Sequence, residues 1–180
     1  PGFEGGEPAP VATRWGDALV SRGSFGGVDV AHVSRHGAGH VRLSNHVTHR
    51  ANIAALAGIG VEAAIGVTVC GAVDPGVELG SLICFDDLHF PVNRLPDGSL
   101  CTFFAEPGDR ERGHWIYEDP YAPPLRAALL EGAERSGLPI RDGGCYGHVD
   151  GPRFNTRAEI RGLAACGVTH VSQTGGPEAV

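Results

Sequence analysis

The sequence has no methionine among its 180 residues. It also has no apolar run approaching the roughly 20 residues that cross a bilayer, which excludes a spanning helix and predicts a soluble protein with no membrane partner. Basic charge is scarce. With 14 Lys+Arg against 21 Asp+Glu the net charge is -7, and no basic stripe is present, so nucleic acid is excluded as a partner. Five cysteines, Cys70, Cys84, Cys101, Cys145 and Cys166, are odd in number and widely spaced. That excludes a disulfide framework and predicts free thiols in a reducing cytoplasm. What is abundant is punctuation: 28 Gly and 13 Pro predict short elements joined by many turns, and the length suits one loop-rich α/β domain.

Residues 28–72 organise the chain. An apolar run over 28–33 ends in Ser34-Arg35-His36-Gly37, so a buried strand delivers a guanidinium and an imidazole into a glycine-containing loop. A helix is predicted over 48–59, stopped by Gly58 and Gly60, and a second apolar strand over 63–69 ends in Thr68-Val69-Cys70-Gly71. Strand, helix and strand read as a βαβ unit. Ligands of open α/β sheets gather beyond the carboxyl ends of the strands, where Arg35, His36 and Thr68 are expected to face one pocket. The planar donor fork of Arg35, the Thr68 hydroxyl and loop amides suit phosphate oxygens. Taken alone, an arginine after a strand is more often a surface or ion-pairing residue.

A second stretch, residues 147–159, carries Gly151-Pro152 as a turn and Phe154 as an aromatic face. Asn155 adds a donor and an acceptor, and Thr156-Arg157-Ala158-Glu159 forms a capping box that opens a helix. Phe154 and Asn155 together suit a planar heterocycle. Four pieces now stand in order: Arg35-His36-Gly37 with Arg50-Ala51-Asn52-Ile53, then Thr68-Val69-Cys70-Gly71, then 151–159, then Thr174 before Pro177-Glu178. In these pieces and their spacing the chain, from about Thr13 onward, resembles the 5'-methylthioadenosine phosphorylase branch of the trimeric purine nucleoside phosphorylases.

The resemblance implies a mixed central sheet with helices on both faces and a homotrimer. It implies a purine nucleoside and inorganic phosphate as co-substrates, with no other cofactor and no metal. Arg35, His36, Thr68 and Thr174 are implied to hold phosphate, and the Val69-Cys70-Gly71 backbone with Phe154 and Asn155 to contact the base. Gln173 is implied to face the ribose, and His114 the 5' substituent of a nucleoside bound in a neighbouring subunit. Gln173 stands where the family usually has Met, and Asn155 where its two branches have Ser or Glu. The resemblance further implies a glycine-rich phosphate loop before Pro1 and a strand and helices after Val180. Residues 1–180 thus read as a single nucleoside phosphorylase-like domain short of both.

Elsewhere the reading is plainer. Residues 1–16 read as an irregular lead-in, 17–20 and 28–33 as a hairpin around 23–27, and 77–85 as a strand followed by Asp86-Asp87, neighbours that point to opposite sides and so suit caps better than paired catalysis. Residues 91–121 form a long Pro- and Gly-broken excursion whose aromatics either carry function or pack the loop down. A covering helix starts at Pro123-Pro124, and further strands are predicted over 143–149 and 168–172. Five histidines fall between His32 and His49, but Gly37, Gly39 and Asn45 break any helix that would align them as metal ligands.

The function expected is phosphorolysis of a purine nucleoside. Three rivals stay open: a nucleosidase using water, a catalytically silent nucleoside- or phosphate-binding protein, and a metal protein built on the histidines.

Overall fold

The computed structural model describes residues 3–180. The chain divides into two compact units, Pro1–Ile65 and Gly66–Val180, and each mixes strands with helix as the α/β class requires. The first unit contains β1 (Glu4–Gly5), β2 (Ala9–Thr13), β3 (Gly16–Phe25), β4 (Val28–His32) and α1 (His49–Gly58). β3 is its hub, pairing antiparallel with the other three strands.

The β3–β4 hairpin is set by its turn. Phe25 pairs with Val28, so only Gly26 and Gly27 bridge the strands, and both take positive φ, 60° and 84°. Two left-handed residues in succession match the right-handed twist of the flanking strands, and glycine adopts them without a Cβ penalty. Along β3, Ala18 and Val20 turn inward and meet Ala51 and Ala55 of α1, with Val11, Trp15, Ala31, Val33 and Ile59 packed around them. Small side chains on both faces let helix and sheet approach closely. The lead-in expected to be irregular is instead β1 and β2. Its Gly, Pro and Glu residues have low strand propensity, and what makes them strands is the ladder β3 offers them; Pro1 and Gly2 lie outside the described residues.

The second unit contains β5 (Gly71–Ala72), β6 (Leu82–Cys84), β7 (Asp87–His89), α2 (Pro123–Arg135), β8 (Ile140–Asp142), β9 (Cys145–His148), α3 (Arg157–Ala165), β10 (His170–Ser172) and α4 (Gly175–Ala179). Its larger sheet has the order β5-β10-β9-β7. β10, β9 and β7 run parallel, and β5 is an antiparallel edge. β6 and β8 form a separate parallel pair. The larger sheet is thus mixed, parallel strands with one antiparallel edge, as the expected α/β class has it.

Two expectations are corrected here. Residues 63–69 form no strand; among the described residues pairing begins only at Gly71, and Ile65, Val67 and Val69 are exposed. An apolar run meets the compositional requirement for a strand but becomes one only beside a partner. The expected βαβ unit consequently does not form, because β4 belongs to an antiparallel sheet and β5 pairs antiparallel with β10. The predicted strand over 77–85 shortens to β6.

The helices follow their local signals. Pro123 and Pro124 occupy the first turn of α2, where their missing amides have no helical partner to lose. Arg126 fastens this helix by donating to the Phe85 carbonyl at 2.7 Å and pairing with Asp142. At α3 the Thr156 side chain accepts from the Glu159 amide while the Glu159 carboxylate accepts from the Thr156 amide, completing the capping box. Asp87 accepts from the amide of the next residue, Leu88, and Asp86 accepts from the distant Gly144 amide before β9.

Candidate active site

In the second unit three hydroxyls converge at the carboxyl end of β10. Thr68 Oγ1 lies 3.1 Å from Ser172 Oγ and 3.4 Å from Thr174 Oγ1, and Ser172 Oγ donates to the Val69 carbonyl at 2.8 Å. A serine has one proton to give. Ser172 gives it to Val69, and the same carbonyl lies 3.5 Å from Thr68 Oγ1 as a second acceptor for Thr68. Thr174, Thr68 and Ser172 thus form a continuous hydroxyl chain that ends on a backbone oxygen. Thr174 reaches a neighbouring hydroxyl, and Thr68 reaches two hydroxyls and, at 3.5 Å, the Val69 carbonyl; an arriving anion is a stronger acceptor than any of these. Thr174 is 3% exposed, so its rotamer is fixed by packing before any ligand arrives.

Beneath this end lies Tyr146 on β9, 1% exposed. Its hydroxyl accepts the Gly175 amide at 2.8 Å, and its ring meets Phe85 edge-on at 5.4 Å. Burial raises the Tyr146 pKa, with the Gly175 amide and the Ser172 hydroxyl opposing the rise. Burial likewise pushes the Cys70 thiol up to about 11, with the neighbouring Ser172 hydroxyl opposing; Cys70 is a protonated wall beside the hydroxyls and no nucleophile. His170, on β10, has its pKa lowered first by burial and then by Arg141, with Asp74 opposing, so it stays neutral at physiological pH.

The loop after β9 carries the proposed base contacts. The Gln173 side chain donates from Nε2 to the Arg153 carbonyl at 2.9 Å. The Arg153 guanidinium grips Glu159 with two bonds, at 2.9 and 2.7 Å, and also reaches the Phe154 carbonyl at 3.1 Å. Arg153 and the Thr156 amide together depress the Glu159 pKa to about 2. Phe154 is 90% exposed, an aromatic face open to a planar partner, and Asn155 is half-buried beside it.

Thr68, Thr174, Val69, Cys70, Gly71 and Gln173 are thus brought together around the β10 end, and Phe154 and Asn155 are tied to it through Gln173. Arg35 and His36 lie in the first unit, on the loop after β4. There His36 Nδ1 donates to the Arg42 carbonyl at 2.8 Å and its ring stacks on His40 at 4.1 Å, which leaves Nε2 as the nitrogen to meet a ligand. His114 is exposed within the irregular excursion. Sequence reasoning missed Ser172 and Tyr146. Ser172 had a signal, since it precedes Thr174 by two positions and period-two alternation sets both on one side of a strand; Tyr146 had none.

A family model described as the Phosphorylase superfamily matches residues 8–180. The chain belongs to the phosphorylase superfamily. Within the superfamily it is 35% identical over 175 residues to a 6-oxopurine nucleoside phosphorylase of Pyrococcus furiosus, covering 94% of this chain and 64% of that protein. It is 40% identical over 164 residues to an S-methyl-5'-thioadenosine phosphorylase of Mycobacterium tuberculosis, covering 91% and 57% respectively. The chain thus spans less than two thirds of the length of these curated relatives. In fold it is similar to the methylthioadenosine phosphorylase of Schistosoma mansoni in complex with adenine, with a TM-score of 0.86 at 24% identity over 98% of this chain and 68% of that one.

Proposed function

We propose that this superfamily member catalyses, as part of its native protein, phosphorolysis of the N-glycosidic bond of a purine nucleoside. The observation that carries the reading is that relatives with 6-oxopurine nucleoside and methylthioadenosine phosphorylase activity in their names align over more than nine tenths of the chain. The hydroxyl cluster at the β10 end falls within residues 8–180, which the superfamily model matches.

In the proposed reaction a phosphate oxygen attacks the anomeric carbon as the bond to the purine nitrogen breaks. The bonding pair leaves with the base, which takes up a proton, and a ribose 1-phosphate, 5-methylthio-substituted or not, is released. The sugar passes through an oxocarbenium-like state, so an anion held against it lowers the barrier, as does any group that stabilises charge on the departing base. Thr68 and Thr174 rotate their protons from the hydroxyl chain onto phosphate oxygens, while Ser172 keeps its bond to Val69. Phe154 stacks on the purine, Asn155 and the Val69-Cys70-Gly71 backbone meet its edge, and Gln173 faces the ribose. The phosphate roles of Arg35 and His36 and the role of His114 at the 5' substituent rest on their motifs. Holding two substrates in one orientation contributes on the order of 7 kcal/mol. No further cofactor enters the scheme, and a homotrimeric, cytoplasmic enzyme completes it.

The test is base release from 5'-methylthioadenosine, 5'-methylthioinosine, adenosine, inosine and guanosine by the full reading frame, with and without phosphate. Phosphate-dependent release from any of them is expected. Release that ignores phosphate would make the protein a nucleosidase, and binding without release would make it a silent binding protein.

A further inference from the structure

We propose that Tyr146 is a positioning residue for the anion cradle, its hydroxyl fixing Thr174 by holding the amide of the next residue. The inference rests on the phosphate role proposed for Thr68 and Thr174, and names the residue that acts through them.

Four observations carry it. The Tyr146 hydroxyl accepts the Gly175 amide at 2.8 Å, which places a buried phenol one peptide bond from the Thr174 side chain. Thr174 takes φ -134° and ψ -31° as the first residue outside α4, and no side-chain cap holds it there, so the neighbouring amide supplies the anchor. The approach is close: a Cβ at Gly175 would stand 2.9 Å from both Cζ and the hydroxyl of Tyr146, tighter than contacts tolerate. Finally the ring itself is immobile, 1% exposed, edge-on to Phe85, and on β9 directly opposite His170 of β10. A rigid phenol on one strand thus sets the height of the hydroxyl-bearing turn at the end of the next. Preorganisation of this kind matters because a misplacement of about 1 Å in a binding constellation costs as much as a hundredfold.

Tyr146→Phe keeps the ring and removes only the oxygen. Inorganic phosphate binding is measured by calorimetry, and KM for phosphate and for the nucleoside by base release. The expected result is a folded variant whose phosphate Kd and KM rise about tenfold, equivalent to about 1.4 kcal/mol, while KM for the nucleoside moves less than threefold. A general loss of structure would move both substrates alike. In a Thr174→Ala background the same substitution is expected to add nothing further, because its effect passes through Thr174; full additivity overturns the inference. So does an unchanged phosphate Kd, and so does a parent protein that binds no phosphate. If Tyr146→Phe does not fold, the amide resonance of Gly175 in the unmodified protein decides: it is expected to shift as phosphate saturates, and a stationary resonance overturns the inference. Phosphate binding that Tyr146→Phe weakens, in a protein that releases no purine, would refute the phosphorylase reading and leave this one standing.

Discussion

Gly176→Ala sets two physical effects of opposite sign against each other. Gly176 is the second residue of α4 and is buried. Inside a helix Ala is favoured over Gly by about 1 kcal/mol, so propensity alone predicts stabilisation. The packing predicts the reverse. A Cβ at this position would stand 2.5 Å from both Cβ and Cγ of His148 and 3.0 Å from its Nδ1. The Cβ of His148 cannot rotate away, and His148 is 8% exposed on β9, so α4 or the strand must move. Overpacking of this sort costs about 1–3 kcal/mol. With the helix preference deducted, the net loss is about 0–2 kcal/mol, and at about 2–4 °C per kcal/mol for a chain of this size the melting temperature falls by up to roughly 8 °C. Thermal unfolding followed by circular dichroism reads the change. A variant that melts higher than the parent would refute the reasoning, since it would mean the β9–α4 contact relaxes without cost.

The Glu159 brace makes stability depend on pH. Its carboxyl is held at about 2 by Arg153 and the Thr156 amide, below its unfolded value of about 4.3; a depressed carboxylate contributes stability present above the unfolded value and lost as pH falls toward the folded one. Glu159→Gln is expected to melt lower than the parent at pH 7, with the gap closing between about pH 4.5 and pH 2; a gap that persists at pH 2 would show the carboxylate's charge to be irrelevant. Thiol labelling separates the cysteines: Cys166 is exposed, while Cys84 and Cys101 are buried and Cys70 and Cys145 are pushed up to about 11 by burial. Iodoacetamide at pH 7.5 is expected to modify Cys166 first, and peptide mass spectrometry showing Cys70 modified earlier would contradict the burial.

Local chemistry was what the sequence made legible. The Thr156–Glu159 box and the Pro123-Pro124 start each fix a backbone conformation through contacts within a few residues, and each stands where expected, while the hairpin connection expected around 23–27 narrows to Gly26-Gly27 because β3 runs on to Phe25. Ladders are different, because a strand exists only by pairing with a distant segment. Residues 9–13 lack strand composition yet pair with β3, whereas 63–69 have strand composition and no assigned ladder. The same divide runs through the site. Thr68 and Thr174 were found as hydroxyls at the ends of apolar runs, but the hydroxyl chain through Ser172 and the phenol of Tyr146 are products of tertiary contact between residues as far apart as 68 and 174.

The loop carrying Phe154 is braced twice, by the Gln173 amide on one side and by the Arg153–Glu159 pair on the other. Its ordering entropy is therefore spent when the chain folds and not when a ligand arrives, which spares any planar molecule stacking on Phe154 about 0.5–1.5 kcal/mol for each side chain it would otherwise immobilise. The two braces differ in kind. Arg153 and Glu159 sit in solvent and are screened by added salt over about 8 Å at physiological strength, whereas the neutral amide of Gln173 is indifferent to it. Ionic strength thus loosens one end of the loop and leaves the other anchored to β10, so the aromatic face pivots about Gln173 instead of coming free.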